Sequence, residues 1–239
     1  MLLDVFIPCF VDQLFPDTAF NMIRVLEAAG CRVNYNPEQT CCSQPAYNAG
    51  FQEEARQVAK KFIHDFEKAE IVVSPSASCV AHVRSVLPVI FENSSLHNPS
   101  KDLQKKSYEL SEFLVNVLGI THLGSKLEAT ATYHDSCSAL RECKIRDEPR
   151  VLLSNVEGLK LIEMEETEHC CGFGGTFSVK FEPIASSMAE RKIENALRTG
   201  AEYIISTDWS CLMHLDGIIR KEKHPIRLLH LADVLASGL

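Results

Sequence analysis

The amino-acid sequence predicts an α/β protein of two tandem, duplicated domains, each a small parallel sheet flanked by helices, the pair related by a pseudo-two-fold. Three observations carry this reading. The cysteines recur at an offset of about 128 residues. Short β-rich runs alternate with amphipathic helical ones. The apolar fraction, 46% of 239 residues, is enough to bury a sizeable core. Alternation of this kind favours parallel strands joined by right-handed crossovers, whose helices must cover the sheet.

In chain order, a strand over Leu3 to Pro8 precedes a helix over Asp17 to Ala29, where Ala19, Met22, Ile23, Leu26 and Ala29 fall at helical spacing before Gly30 stops it. A strand at Arg32 to Tyr35 follows. Phe51, Ala55, Val58, Phe62, Ile63 and Phe66 then mark a second amphipathic helix, and Ile71 to Ser74 a third strand. Glu92 to Lys106, with Asn93, Asn98, Pro99 and Ser100, reads as a solvated loop, and Ser107 to Gly119 as a closing helix. The apolar pattern thins at Gly119, Thr121, Gly124 and Ser125, which separates a first domain (1–122) from a second (123–239). The second half repeats the plan. Its strands are Ala131 to His134, Leu159 to Met164 and Tyr203 to Ser206; its helices are Glu148 to Val156, the run from Pro183 to Gly200, and a closing segment from Pro225 to Gly238.

Charge and hydropathy exclude several function classes. With 32 acidic against 24 basic residues, a net charge of −8 and no Lys/Arg block, the chain lacks the phosphate-neutralising surface that nucleic acid requires. The longest apolar stretch, Ile71 to Phe91, is interrupted by serines, Pro75, Pro88, His82 and Arg84, so no membrane span is expected. The opening residues have no basic region or cleavage site, which predicts a cytoplasmic protein.

Ten cysteines are many for such a chain, and in a reducing compartment a surplus points to metal ligation or thiol chemistry. Cys9 matches Cys137; after 31 and 32 intervening residues come the vicinal pairs Cys41-Cys42 and Cys170-Cys171; after 36 and 39 more come Cys79 and Cys211. Three of the four thiols in each half fall at or just past strand ends, where sites gather in open parallel sheets. Four thiols per half suit zinc or iron–sulfur chemistry, and a vicinal doublet reaches two metal atoms of a multinuclear cluster more readily than one tetrahedral zinc. Cys31 and Cys143 have no counterparts and read as packing residues. After the second doublet, Gly172, Gly174 and Gly175 permit positive φ and close backbone approach, so their amides can face the cluster. The first half has Ser43-Gln-Pro-Ala there instead. His134 and Asp135, just before Cys137, are candidates for hydrogen bonding to the site or for a proton relay. Arg141 and Lys192 are candidates to bind a carboxylate or offset cluster charge.

Both halves resemble the cysteine-rich CCG-domain family, whose pattern is Cys, a gap of thirty-odd residues, Cys-Cys-Gly, a similar gap, then Cys-x-x-Cys. The second copy is the better match: Tyr133-His-Asp-Ser-Cys137, Cys170-Cys-Gly-Phe-Gly-Gly-Thr-Phe-Ser178 and Ser206-Thr-Asp-Trp-Ser-Cys211-Leu-Met-His214. Ser76 and Asp208 stand where the last motif has its first Cys, and Ser43 where the first doublet has its Gly. Four thiols still suffice for an ordinary [4Fe–4S] cluster; Asp208 is either an oxygen ligand or the cap of the following helix. Heterodisulfide reductase and the glycolate oxidase iron–sulfur proteins carry domains of this family too. Without a ferredoxin-type segment ahead of the repeat, the chain is most similar to the lactate-utilisation branch. The resemblance implies an electron-transfer subunit, with one or two iron–sulfur clusters, of a complex that oxidises L-lactate or a related small 2-hydroxy acid to the keto acid. It also implies lactate utilisation proteins B and C as partners. The implied metal ligands are Cys9, Cys41, Cys42 and Cys79 in the first half and Cys137, Cys170, Cys171 and Cys211 in the second. Two other classes are compatible with the residues: a zinc-holding assembly protein, and a thiol–disulfide oxidoreductase cycling its vicinal doublets.

Overall fold

The computed structural model of the protein describes residues 1–239. Strands β1 (Leu2–Val5), β2 (Arg32–Tyr35), β3 (Val72–Ser74) and β4 (Ser107–Glu109) form one sheet in the order β2-β1-β3-β4. Strands β5 (Lys126–Tyr133), β6 (Glu157–Leu161), β7 (Tyr203–Ser206) and β8 (Arg227–His230) form a second in the order β6-β5-β7-β8. Every strand pair in both is parallel, so the connections are helical crossovers, as the alternating pattern requires. Because the chain leaves the first strand of each sheet in one direction and returns on its other side, a topological switch point lies between β1 and β3 and between β5 and β7.

Three elements differ from expectation. The closing helices each open with an edge strand, β4 or β8, before a helix at Leu110–Glu112 or Leu231–Ala236. Three or four residues are too few for their periodicity to separate strand from helix, and the partner strand decides. Both transitions are capped by the strand's last residue: Glu109 accepts from Ser111 N at 2.8 Å, and His230 Nδ1 accepts from Ala232 N at 3.1 Å. The expected loop before β4 contains a helix, His97–Lys106, whose Leu103 and Ser100 are buried. Pro99 lies in its first turn, where a missing N–H leaves no hydrogen bond unmade.

The halves share one apolar core of 23 buried residues, including Leu3, Val5 and Val73 from the first sheet and Ala131, Tyr133 and Ile205 from the second. Helix Pro16–Ala28 supplies Met22, Val25 and Leu26 to it, and helix Leu231–Ala236 supplies Leu231, Val234 and Leu235. Polar bonds lock the same seam. Asp233 accepts from Thr18 Oγ1 at 3.0 Å and Asn21 Nδ2 at 2.9 Å, while Trp209 Nε1 donates to Thr18 Oγ1 at 2.8 Å. Trp209 also stacks on Phe15, with ring centroids 3.7 Å apart. This seam brings the two switch points to face each other.

Candidate metal centre

Each cysteine set assembles from three loops at one sheet edge. Cys9 begins a short helix (Cys9–Leu14) past β1; Cys41 and Cys42 follow β2; Cys79 lies in the first turn of helix Ala77–Ser85 after β3. Cys9 Sγ is 3.8 Å from Cys41 Sγ, and the buried Cys42 lies between Cys41 and Cys79, whose thiols push its own pKa up. The second half repeats the chain of sulfurs: Cys137 meets Cys170, and Cys171 meets both Cys170 and Cys211. All ten cysteines are free thiols. All four second-half thiols and Cys9, Cys42 and Cys79 of the first line one cavity of about 330 Å³ between the halves.

The first doublet sulfur in each half is the natural thiolate. Hydrogen bonds from Cys42 and Cys9 hold Cys41 well below the usual thiol range, and bonds from Cys137 and Cys171 do the same for Cys170. A backbone amide adds to each, Ser43 N to Cys41 Sγ and Gly172 N to Cys170 Sγ, both at 3.4 Å. Hydrogen bonding to Cys41 raises Cys9, and to Cys170 raises Cys137, with burial acting in the same sense.

The backbone after the two doublets turns in the same way with different residues. Gly172 has φ +92°, and a Cβ there would lie 2.5 Å from Ala185 O on the covering helix, Glu182–Arg198. Ser43 holds φ +81° with a side chain present, and its Oγ bonds His82 Nε2 at 2.9 Å. The counterpart of His82, three residues past the last cysteine, is His214, which contacts Ala185 O at 3.3 Å. Burial pushes the His82 pKa down to about 4, so its ring is neutral.

Asp208 caps rather than reaches for the sulfurs. Its carboxylate accepts from Ser210 N at 3.2 Å and Ser210 Oγ at 2.6 Å, at the start of its own helix (Trp209–Glu222), and from Ser78 N at 2.8 Å on the first-half helix. One side chain thus joins the N-termini that carry Cys79 and Cys211. Its counterpart Ser76 caps only its own helix, accepting from Cys79 N at 3.4 Å.

Behind the sulfurs the halves diverge. Phe6 N bonds Val73 O at 2.9 Å, and His134 N bonds Ile205 O at 2.8 Å, so the two residues hold the same place past β1 and β5. Phe6 packs edge-on to Phe62 with centroids 4.8 Å apart. The matching position on the covering helix of the second half is Lys192, 1% exposed, its Nζ donating to Glu166 O at 2.6 Å and Thr167 O at 2.9 Å. Burial lowers the Lys192 pKa to about 8 and that of His134 to about 3. Neither ring nitrogen of His134 has a hydrogen-bond partner, and a ring nitrogen, Cys171 Sγ and Cys211 Sγ lie within 4.8 Å of one another.

A donor set of clustered thiols with an unpartnered buried imidazole suits a soft or borderline metal, and the absence of a Cβ at Gly172 lets the backbone pass under Ala185 O with its amide donating to Cys170 Sγ. The model of the cysteine-rich domain known as CCG matches residues 3–84 and 131–216, one copy for each set of four thiols. The chain belongs to the CCG family. It is 44% identical over 235 residues to "Lactate utilization protein A" of Halalkalibacterium halodurans, covering 98% of this chain and 96% of that protein. It is 42% identical over 238 residues to the protein of the same name from Exiguobacterium sp., covering 98% and 97%. Among solved structures, a hypothetical protein from Helicobacter pylori superposes on all of this chain with a TM-score of 0.57 at 13% identity; this chain spans 49% of that one, and the likeness is one of fold.

In this CCG protein the remaining expected residues take varied places. Gly174 and Gly175 line the cavity at positive φ. Asp135 turns away from the sulfurs and forms a two-point ion pair with Arg150, at 2.9 and 2.8 Å, so it does not meet His134 as a relay. Arg141 is exposed, whereas Cys31 and Cys143 are buried in apolar clusters. Sequence reasoning missed His82 as a site residue, although the repeated Cys-x-x-His at Cys79–His82 and Cys211–His214 was a signal for it. It missed Glu109 as well. This carboxyl is fully buried with Oε1 unpartnered, and burial raises its pKa to about 7. No local motif marks it.

No helix is long and apolar enough to cross a membrane.

Proposed function

We propose that this protein is the iron–sulfur electron-transfer subunit of a lactate-oxidising system, acting with the lactate utilisation proteins B and C in the conversion of L-lactate to pyruvate. The observation that carries the reading is the convergence of eight thiols from distant parts of the chain into two sets, seven of the eight lining one cavity. The names of its full-length relatives supply the substrate. Cys9, Cys41, Cys42 and Cys79 would hold one centre, and Cys137, Cys170, Cys171 and Cys211 the other. Iron–sulfur clusters bound there supply one-electron carriers whose potential follows charge, hydrogen bonds and solvent exposure.

The chain's own residues prepare for that role. Cys41 and Cys170 enter as thiolates, so each set is primed with a strong soft ligand. Lys192, buried beside the second doublet, offsets thiolate charge from behind. Phe10 and Phe173, edge-on with centroids 6.0 Å apart, bring the first-half wall against the second and limit water at the cavity. Oxidation of lactate releases two electrons and two protons, and two one-electron centres facing one cavity match that electron count.

The test is anaerobic reconstitution followed by iron, acid-labile sulfide and zinc assays, for the unmutated chain beside Cys171→Ser and Cys42→Ser. Iron and sulfide in near-equal amounts, with each variant losing the signal of its own half, supports the reading. Stoichiometric zinc without sulfide uptake overturns it in favour of a structural metal protein.

A further inference from the structure

His134 is the strongest unexplained feature of the molecule. Its ring is fully buried, yet neither nitrogen has a partner. An unpaired buried polar group costs about 1–3 kcal/mol, so an imidazole in this place is a poor choice for packing alone. The other half shows that an apolar side chain fits the same position, because Phe6 fills it and packs on Phe62. The thiols of Cys171 and Cys211 lie within 4.8 Å of a ring nitrogen. The Asp208 carboxylate at this edge is occupied by Ser78 and Ser210. Lys192 is turned to the carbonyls of Glu166 and Thr167. The imidazole is therefore free to act as a nitrogen donor to whatever those two sulfurs bind.

We propose that His134 is a metal ligand of the second half, sharing one metal ion with Cys171 and Cys211, while the first half binds through thiols alone. A mixed nitrogen–sulfur donor set suits zinc, iron or cobalt, and a nitrogen beside the four thiols gives the second half a donor that the first lacks. The inference deepens the iron–sulfur reading and rests on it for the identity of the metal as iron.

The experiment loads the whole chain anaerobically in two ways, with Co(II) alone and with iron plus sulfide followed by reduction, and records pulsed EPR for coupling to an imidazole nitrogen. The expected result is ¹⁴N coupling in the unmutated chain that shifts to ¹⁵N when histidine is labelled on its ring, which needs no substitution and carries no folding risk. His134→Phe, the side chain of the other half, is expected to abolish the coupling and to weaken Co(II) binding in the second half more than tenfold; His64→Asn, exposed and away from the cavity, leaves both unchanged. Absence of nitrogen coupling in the unmutated chain with either loading, or its persistence in His134→Phe, overturns the proposal. Nitrogen coupling to Co(II) in a chain that takes up no sulfide sustains the His134 assignment and overturns the iron–sulfur reading, which separates the two failures.

Discussion

The first and second halves have the same strand order and the same four-thiol edge, but opposite walls behind it. In the first, Phe6, Phe62 and Phe66 form an aromatic cluster against Cys42. In the second, His134, Lys192 and Ala196 take the corresponding places, and two groups capable of carrying charge or binding metal replace two rings. The contrast separates what holds the fold from what the edge does. An aromatic wall contributes dispersion and apolar burial, whereas a buried histidine and lysine cost desolvation and are useful only through the groups they face. A second pair makes the same point at the seam: Glu109 and His230 both end an edge strand and cap the next helix, but His230 Nε2 bonds Pro75 O at 2.9 Å while Glu109 Oε1 has no partner.

Four substitutions sharpen this comparison. Phe62→Ala removes a ring packed on both Phe6 and Phe66 and should cost about 3–5 kcal/mol of metal-free stability, read from anaerobic urea unfolding. A loss below about 1 kcal/mol would break the claim that the aromatic wall is structural. Glu109 has a folded pKa of about 7, raised from 4.5, so the native state binds its proton more tightly than the unfolded chain. Its favourable contribution is complete below pH 4.5 and declines as pH rises, until the carboxylate must be buried above pH 7. Glu109→Gln stays neutral and keeps an acceptor for Ser111 N, so it should exceed the unmutated chain by up to about 3 kcal/mol at pH 8 and by much less at pH 5. The buried histidines are common to both chains and cancel in that difference. A difference that does not change with pH would show that Glu109 is not neutral in the fold. Smallest is the capping pair. Asp208→Ala frees two helix N-termini and should cost about 1–2 kcal/mol; Ser76→Ala, which frees one through a 3.4 Å bond, should cost about half that. Equal losses in thermal unfolding would refute the bridging role of Asp208.

Much of the scaffold was legible because it rests on local periodicity. The helices over Pro16–Ala28, Gln52–Phe66 and Glu182–Arg198 carry apolar residues at helical spacing, and the internal repeat placed the strands between them. The edge strands β4 and β8 and the helix His97–Lys106 escaped that reading, since pairing with a neighbour and burial of a single leucine decided them. At the site, spacing indicated which cysteines belong together. It did not reveal that Phe6 answers to His134 and Phe62 to Lys192, because residues alike in place are unlike in type and become comparable only through strand register and helix phase. Asp208 as the cap of two helices was half legible: its own helix follows it directly, but Ser78 is 130 residues away.

The sequence alone determined the duplicated α/β plan, the parallel crossovers and the grouping of thiols, since each follows from periodicity and from spacing that occurs twice. Only the tertiary structure decided that both thiol sets open on one cavity, that the seam is a shared core, and that one wall is aromatic and the other polar. Those features depend on contacts between segments more than a hundred residues apart, as Pro75 O with His230 and Thr18 with Asp233 illustrate. Local pattern holds no record of such distances, because burial and pairing are set by which surfaces meet once the chain has collapsed.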